Sequence, residues 1–151
     1  MDNLALAKHK TINIECNIND INDLPETTLG DRIRKLRLLM YLTIKDLSIK
    51  SCLSEETISN IEKSRTTPNI SSLNKLCQAL NTNNTYLLGT DDWAEETQSE
   101  IIYKYRMISG LSQRQLAKKC NLHFSTIKDY ENGKIKHPDT LKIIYKGIGY
   151  I

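Results

Sequence analysis

The side chains best suited to chemistry in this chain are hydrogen-bond donors and cations gathered in one stretch, Leu111 to Lys134, which reads LSQRQLAKKCNLHFSTIKDYENGK. Elsewhere the residue types needed for catalysis or metal binding are scattered. The three histidines, His9, His123 and His137, lie far apart, and there is no glycine-rich phosphate loop and no nucleophile–base signature. The four cysteines, Cys16, Cys52, Cys77 and Cys120, form no C-x-x-C pair. They are expected to be buried free thiols in a reducing compartment rather than zinc ligands. The expectation is a non-enzyme without metal or cofactor, whose chemistry is recognition by charge and hydrogen bonding.

The charge distribution sharpens this. The net charge of +3 is unevenly spread. Residues 1–28 hold 2 Lys and 5 acidic residues, and 90–99 hold 4 acidic residues and no base. Residues 29–89 hold 9 basic and 5 acidic residues, and 100–151 hold 10 and 4. Two basic blocks separated by an acidic joint suit polyanion binding by both blocks. No apolar run approaches the ~20 residues needed to span a bilayer. Nor does a basic region followed by an apolar core open the chain. A soluble, cytoplasmic protein with no membrane association is expected.

Within the opening stretch, Ser112 and Gln115 form the reciprocal capping box that starts a helix. Leu116, Ala117 and Cys120 then share one helical face, and Asn121 suits the left-handed residue that ends it. A second helix is expected from Ser125 to Tyr130, with Ile127 and Tyr130 facing the first and Asn132-Gly133 stopping it. Two short helices, a tight turn and a basic loop make a helix-turn-helix. The pattern occurs twice. A shift of 69 residues lays Arg37–Thr43 over Arg106–Ser112, and the match continues through Leu47/Leu116, Leu53/Leu122, Thr57/Thr126, Ile58/Ile127 and Glu62/Glu131. The register then slips by one, pairing Leu73 with Leu141 and Leu80 with Ile148.

The elements that must position these residues follow in order. Residues 1–28 form an N-terminal arm. Thr11 to Ile18 alternates apolar and polar residues with a strand's period. Either a short β-strand pairs there with a partner subunit or the C-terminal end, or the arm is acidic and partly disordered. Asn19 to Pro25 reads as a turn, and Thr28 as an N-cap. The first domain, 29–89, should contain a helix with the stripe Ile33, Leu36 and Met40, then a helix capped by Thr43. Cys52 falls at the turn position, Ser54 caps Glu55 to Lys63, a helix carries Leu73, Leu76, Ala79 and Leu80, and a last short helix ends at Gly89. Ser48 and Ala117 are small where two helices must approach closely. Residues 90–99 are expected to extend a long helix, with Asp92 as its cap and Glu95 at its third position. The second domain, 100–151, repeats the plan through a helix Leu141 to Ile148 but lacks the first domain's last helix. Another element must cover that face.

These residues resemble a known family. Ser112-Gln113-x-x-Leu116-Ala117, Ser125-Thr126-Ile127 and Tyr130-Glu131-Asn132-Gly133-Lys134 look like the helix-turn-helix of phage repressors, Cro proteins and the related Xre-type regulators. The first copy carries Arg32-Ile33-Arg34-x-Leu36-Arg37, Glu56-Thr57-Ile58-Ser59-x-Ile61-Glu62 and Tyr86-Leu87-Leu88-Gly89. The resemblance covers about 29–89 and 98–149. It implies an all-α fold of two tandem lambda-repressor-like domains and a sequence-specific regulator of transcription that binds double-stranded DNA. A homodimer and a protein partner are both compatible with it. The alternative is an antitoxin or anti-regulator that keeps the fold but contacts protein.

In such a domain the second helix of the motif enters the major groove. In the second copy that implies Phe124 against a thymine methyl, Ser125 hydrogen-bonding a base, and Lys128 at a guanine or phosphate. Gln113 should meet a phosphate, Arg114 lies beside it, and Lys134, Lys136 and His137 follow the backbone. The first copy departs: Ile44 replaces the Gln, and Glu55 and Glu56 stand on the groove-facing turn. Glu56 can accept from cytosine, Thr57, Ser59 and Asn60 can hydrogen-bond, and Lys45, Lys63 and Arg65 can reach phosphates. The pairs Arg37/Glu62 and Arg106/Glu131, each 25 residues apart, are implied to bridge the first helix to the recognition helix.

Overall fold

The computed structural model describes residues 18–134 and 137–151. Ten α-helices and no strand occur among the described residues. The expected strand lies outside them except for Ile18, which opens a helix instead: α1, Ile18–Asn22. The segment read as a turn from Asn19 is therefore partly helical, for a tertiary reason. Ile21 is buried, α1 packs on α2 (Leu29–Leu39), and the Lys35 ammonium donates to the carbonyls of Asn22 (2.6 Å) and Leu24 (3.4 Å) at the helix end. Lys35 also pairs with Glu26 at 2.7 Å, and Glu26 accepts from the Tyr86 hydroxyl. That partnership holds the Glu26 carboxyl below its usual pKa, through the lysine first and Tyr86 second.

The first unit continues through α3 (Ile44–Ser51), α4 (Glu55–Glu62), α5 (Ile70–Ala79) and α6 (Asn84–Leu88). Side chains of Thr28, Thr43, Ser54, Asn69 and Asn83 cap their starts, each supplying an acceptor to an otherwise orphaned amide. Ile33, Leu47, Ile58, Leu76 and Leu87 are completely buried between the helices, each contributing roughly 1.5–3 kcal/mol from burial.

The second unit is α7 (Gln98–Ile108), α8 (Gln113–Lys119), α9 (Phe124–Glu131) and α10 (Pro138–Ile148). Its core is Ile102, Leu116, Ala117, Ile127, Tyr130, Leu141, Ile144 and Ile148. The bounds of α7 and α9 repeat those of α2 and α4 at the 69-residue shift.

The acidic joint corrects an expectation: it does not extend α7. Thr90–Asp92 is a 3₁₀ turn, Trp93 is extended, and α7 starts behind Thr97 with Glu100 closing its capping box. Glu95 pairs instead with Lys104 at 2.8 Å. The same buried ammonium donates to the Trp93 carbonyl at 3.1 Å, and the Trp93 ring stacks on Tyr103 with centroids 5.6 Å apart. Folding the joint back onto α7 gives Lys104 partners that a straight helix would carry out of reach.

Among the described residues the second unit has no counterpart of α6, and two features cover the corresponding face. Tyr150 folds over Tyr105 and Tyr145, with centroids 4.8 and 4.9 Å away, and α6 of the first unit packs against α7. Between the units, Asn74 Nδ2 donates to the Gly110 carbonyl at 2.8 Å and Asn84 Nδ2 to the Ile108 carbonyl at 3.4 Å; within the first unit Asn84 Nδ2 also donates to Asn74 Oδ1 at 3.0 Å. Gly110 has φ +65, and a Cβ on it would lie 2.6 Å from Asn74 Oδ1. A side chain at Gly110 would therefore displace the asparagine side chains that join the two units.

Candidate nucleic-acid interface

The second motif is built from its caps inward. Ser112 and Gln115 exchange hydrogen bonds at the start of α8, Asn121 takes φ +53 in the turn, and His123 caps α9. The His123 Nδ1 accepts from the Ser125 amide at 3.3 Å and lies 2.8 Å from the Ser125 hydroxyl. The expected start at Ser125 is thus one residue late, because a histidine ring nitrogen serves where a hydroxyl or carboxamide is the usual cap. Leu116, Ala117, Ile127 and Tyr130 hold α8 against α9 from within, and the Tyr130 hydroxyl both donates to the His137 carbonyl and accepts from its amide.

One polar network locks α9 from behind. Arg106 Nε donates to Glu131 Oε1, Nη2 donates to Oε2 at 3.1 Å, and Nη1 donates to the Leu111 carbonyl at 2.7 Å. Both side chains are more than nine-tenths buried. The first motif has the same device, with Arg37 on Glu62 at 2.6 and 2.9 Å and on the Leu42 carbonyl at 2.8 Å. Each fork joins the helix before the motif, α2 or α7, to the end of the recognition helix and to the loop before the motif. A charged pair can persist at such depth because nearly every donor and acceptor is satisfied.

Gln113 belongs to this network. Its Nε2 donates to Glu131 Oε2 at 2.6 Å, so one of its two carboxamide N–H bonds serves the lock. Glu131 has acceptor capacity beyond what Arg106 uses, and Gln113 takes it up. In the first motif Ile44 stands there and packs, half-buried, against the first core. At this one position the copies differ: Gln113 adds a hydrogen bond to the lock, and Ile44 packs.

The outward surface of α8 and α9 carries Arg114, Phe124, Ser125 and Lys128, all exposed. Arg114 lies over the Phe124 ring, 5.6 Å from its centroid, a contact between the two helices that no periodicity announces. Lys134 is exposed, 3.9 Å from Asp129; Lys136 is outside the described residues. In the first motif Lys45, Glu55, Glu56, Lys63 and Arg65 are exposed, and Thr57, Ser59 and Asn60 half-buried. The Thr57 hydroxyl lies 2.8 Å from that of Ser54, so it is shared with the cap. Lys45 and Glu55 occupy the places of Arg114 and Phe124.

The cysteines do not enter this surface. Cys77, Cys120 and Cys52 are free; burial pushes Cys77 up to about 11 and raises Cys120. Cys52 corrects the expectation of burial: it is exposed, because it caps α3 with φ +51 and turns its side chain outward.

A family model for the Cro/C1-type helix-turn-helix matches residues 33–87 and 102–149. The chain belongs to the helix-turn-helix family. It carries two tandem copies of this DNA-binding, transcription-regulating domain of Xre type. No curated protein and no solved structure matches it. Family membership identifies α3–α4 and α8–α9 as the two motifs, and α4 and α9 as their recognition helices. No helix among the described residues is long and apolar enough to cross a membrane.

Proposed function

We propose that the chain is a sequence-specific, repressor-like regulator that reads the major groove of double-stranded DNA, chiefly with α9. The observation that carries this is the second motif itself: a recognition helix anchored from behind by Arg106, Glu131 and Gln113 presents Phe124, Ser125 and Lys128 outward, flanked by Arg114 and Lys134. A helix held from behind and offering donors, a cation and an apolar ring is suited to base edges, and the exposed Lys134 beyond its end to a phosphate. Lys136 and His137 would extend the phosphate track. In the first motif Lys45, Lys63 and Arg65 would meet phosphates, with Glu56, Thr57, Ser59 and Asn60 toward bases. On this reading the protein works in the cytoplasm on double-stranded DNA, alone or as a homodimer.

Fluorescence anisotropy against duplexes from the DNA upstream of its own coding sequence tests the proposal. Binding should weaken steeply with salt, the log–log slope being about −0.9 for each phosphate neutralised. Absence of binding at low salt, or a flat salt response, overturns it.

A second reading concerns the first motif. Glu55 and Glu56 are exposed on the first turn of α4, where carboxylates repel phosphates, and Ile44 packs inward. This favours a protein partner for that motif, as in an antitoxin or anti-regulator. Charge reversal of Glu55 and Glu56 to Lys should leave DNA affinity unchanged under this reading. A large gain would place the turn against DNA.

A further inference from the structure

The contact between Arg114 and Phe124 combines two chemistries at one point of the outward surface. Phe124 is the first residue of α9 and stays 36% exposed, an aromatic left partly in water on the first turn of the helix. Arg114, the second residue of α8, holds its guanidinium 5.6 Å from the ring centroid. The ring offers an apolar face, and the guanidinium offers paired donors. In the major groove a pyrimidine C5-methyl is the apolar feature of a base edge, and guanine O6 with N7 is the acceptor pair that a guanidinium grips. Neighbouring bases on a strand are about 3.4 Å apart, so a guanidinium on a flexible side chain 5.6 Å from the ring has the reach to meet the base pair next to the one the ring touches. The equivalent residues of the first motif, Lys45 and Glu55, offer neither an apolar face nor a planar fork.

We infer that Arg114 and Phe124 act together as a reader of a C5-methylated pyrimidine next to a guanine: thymine beside guanine, with 5-methylcytosine beside guanine as its isostere. This rests on the proposed DNA-binding role and supplies its base specificity at one step. The stacked cation also keeps the guanidinium from ranging freely, so less side-chain freedom is lost when it grips the base.

The test begins with selection of duplexes from a random-sequence pool by the full chain, followed by anisotropy titration of the enriched site. The expected site has a thymine beside a guanine. Replacing that thymine by uracil, which deletes only the methyl, should weaken binding about fourfold, the worth of one buried methyl group. Replacing it by cytosine should weaken binding, and 5-methylcytosine should restore what the methyl contributes. Phe124→Ala should erase the thymine–uracil difference. Arg114→Lys should reduce discrimination at the guanine roughly tenfold, because an ammonium cannot grip both acceptors. Both residues are exposed, and circular dichroism checks that the variants remain folded. If no duplex is enriched, the DNA-binding role itself fails. If a site is enriched but binds equally with uracil, or keeps its thymine preference in Phe124→Ala, the reader is overturned while DNA binding stands.

Discussion

The most consequential residues are the two arginine–carboxylate forks. With Arg106 and Glu131 both buried, removing one partner strands a charge. Glu131→Ala should cost about 3–5 kcal/mol, read as a lowered urea midpoint, whereas Arg106→Met with Glu131→Leu should cost clearly less than that single change. Equal losses would show that the fork holds shape rather than compensating charge. A milder strain sits at Cys52, which holds φ +51, a conformation that costs most side chains about 1–2 kcal/mol. The second unit has Asn121 there, at φ +53. Cys52→Asn should raise the melting temperature by a few degrees; a fall would mean that the thiol makes a contact worth more than the strain. Both features could be read from residue types, since a repeated Arg/Glu spacing and a cysteine aligned with an asparagine are visible in the chain. That Gln113 donates to Glu131, or that Arg114 crosses to Phe124, could not. Both are contacts across helices whose partners depend on where the helices come to rest.

The helices themselves were the most legible level, because their starts are written in local chemistry. Four of them open with reciprocal capping boxes, at Thr28/Asp31, Thr43/Asp46, Thr97/Glu100 and Ser112/Gln115. The misread start at Asp92 shows the limit: Asp92/Glu95 and Thr97/Glu100 fit the same local rule, and only Lys104 and Tyr103 decide between them. The boxes also differ in how they respond to acid. Hydrogen bonds from Thr27 and Thr28 hold Asp31 below its usual pKa, those from Thr43 do so for Asp46, and those from Thr97 for Glu100. A depressed carboxyl stabilises the fold above its unfolded pKa of about 4, and that contribution fades as pH falls through the lower folded value. Gln115 has no proton to gain. Below about pH 4 the amides of Thr28, Thr43 and Thr97, which donate to these carboxylates, should lose hydrogen-exchange protection. The amide of Ser112, which donates to Gln115, should retain it. Uniform loss at all four would indicate global unfolding instead.

At the scale of the molecule, the duplication says that two units exist but not how they meet. Their joint is asymmetric: Asn74 and Asn84 of one unit grip the backbone of the other at Ile108 and Gly110. The residue aligned with Gly110 in the first unit is Tyr41, which shares the left-handed backbone at φ +56 and is 76% exposed. An aromatic residue can therefore hold this turn, but its Cβ in place of Gly110 would sit 2.6 Å from Asn74 Oδ1 and 2.8 Å from Asn84 Nδ2. Gly110→Tyr thus tests the joint with little change in backbone demand. Two hydrogen bonds cross to the second unit, from Asn74 to the Gly110 carbonyl and from Asn84 to the Ile108 carbonyl, each worth about 1 kcal/mol, so the variant should lose roughly 2 kcal/mol of coupling between units. The single tryptophan, Trp93, lies on the joint segment stacked against Tyr103 and reports on its surroundings. In the native chain its fluorescence and the far-ultraviolet dichroism should change together in urea, as one cooperative unit. In Gly110→Tyr the two transitions should separate, with the fluorescence change at lower urea. If they remain coincident at an unchanged midpoint, the units are held by packing of α6 on α7, and the asparagine grip is incidental.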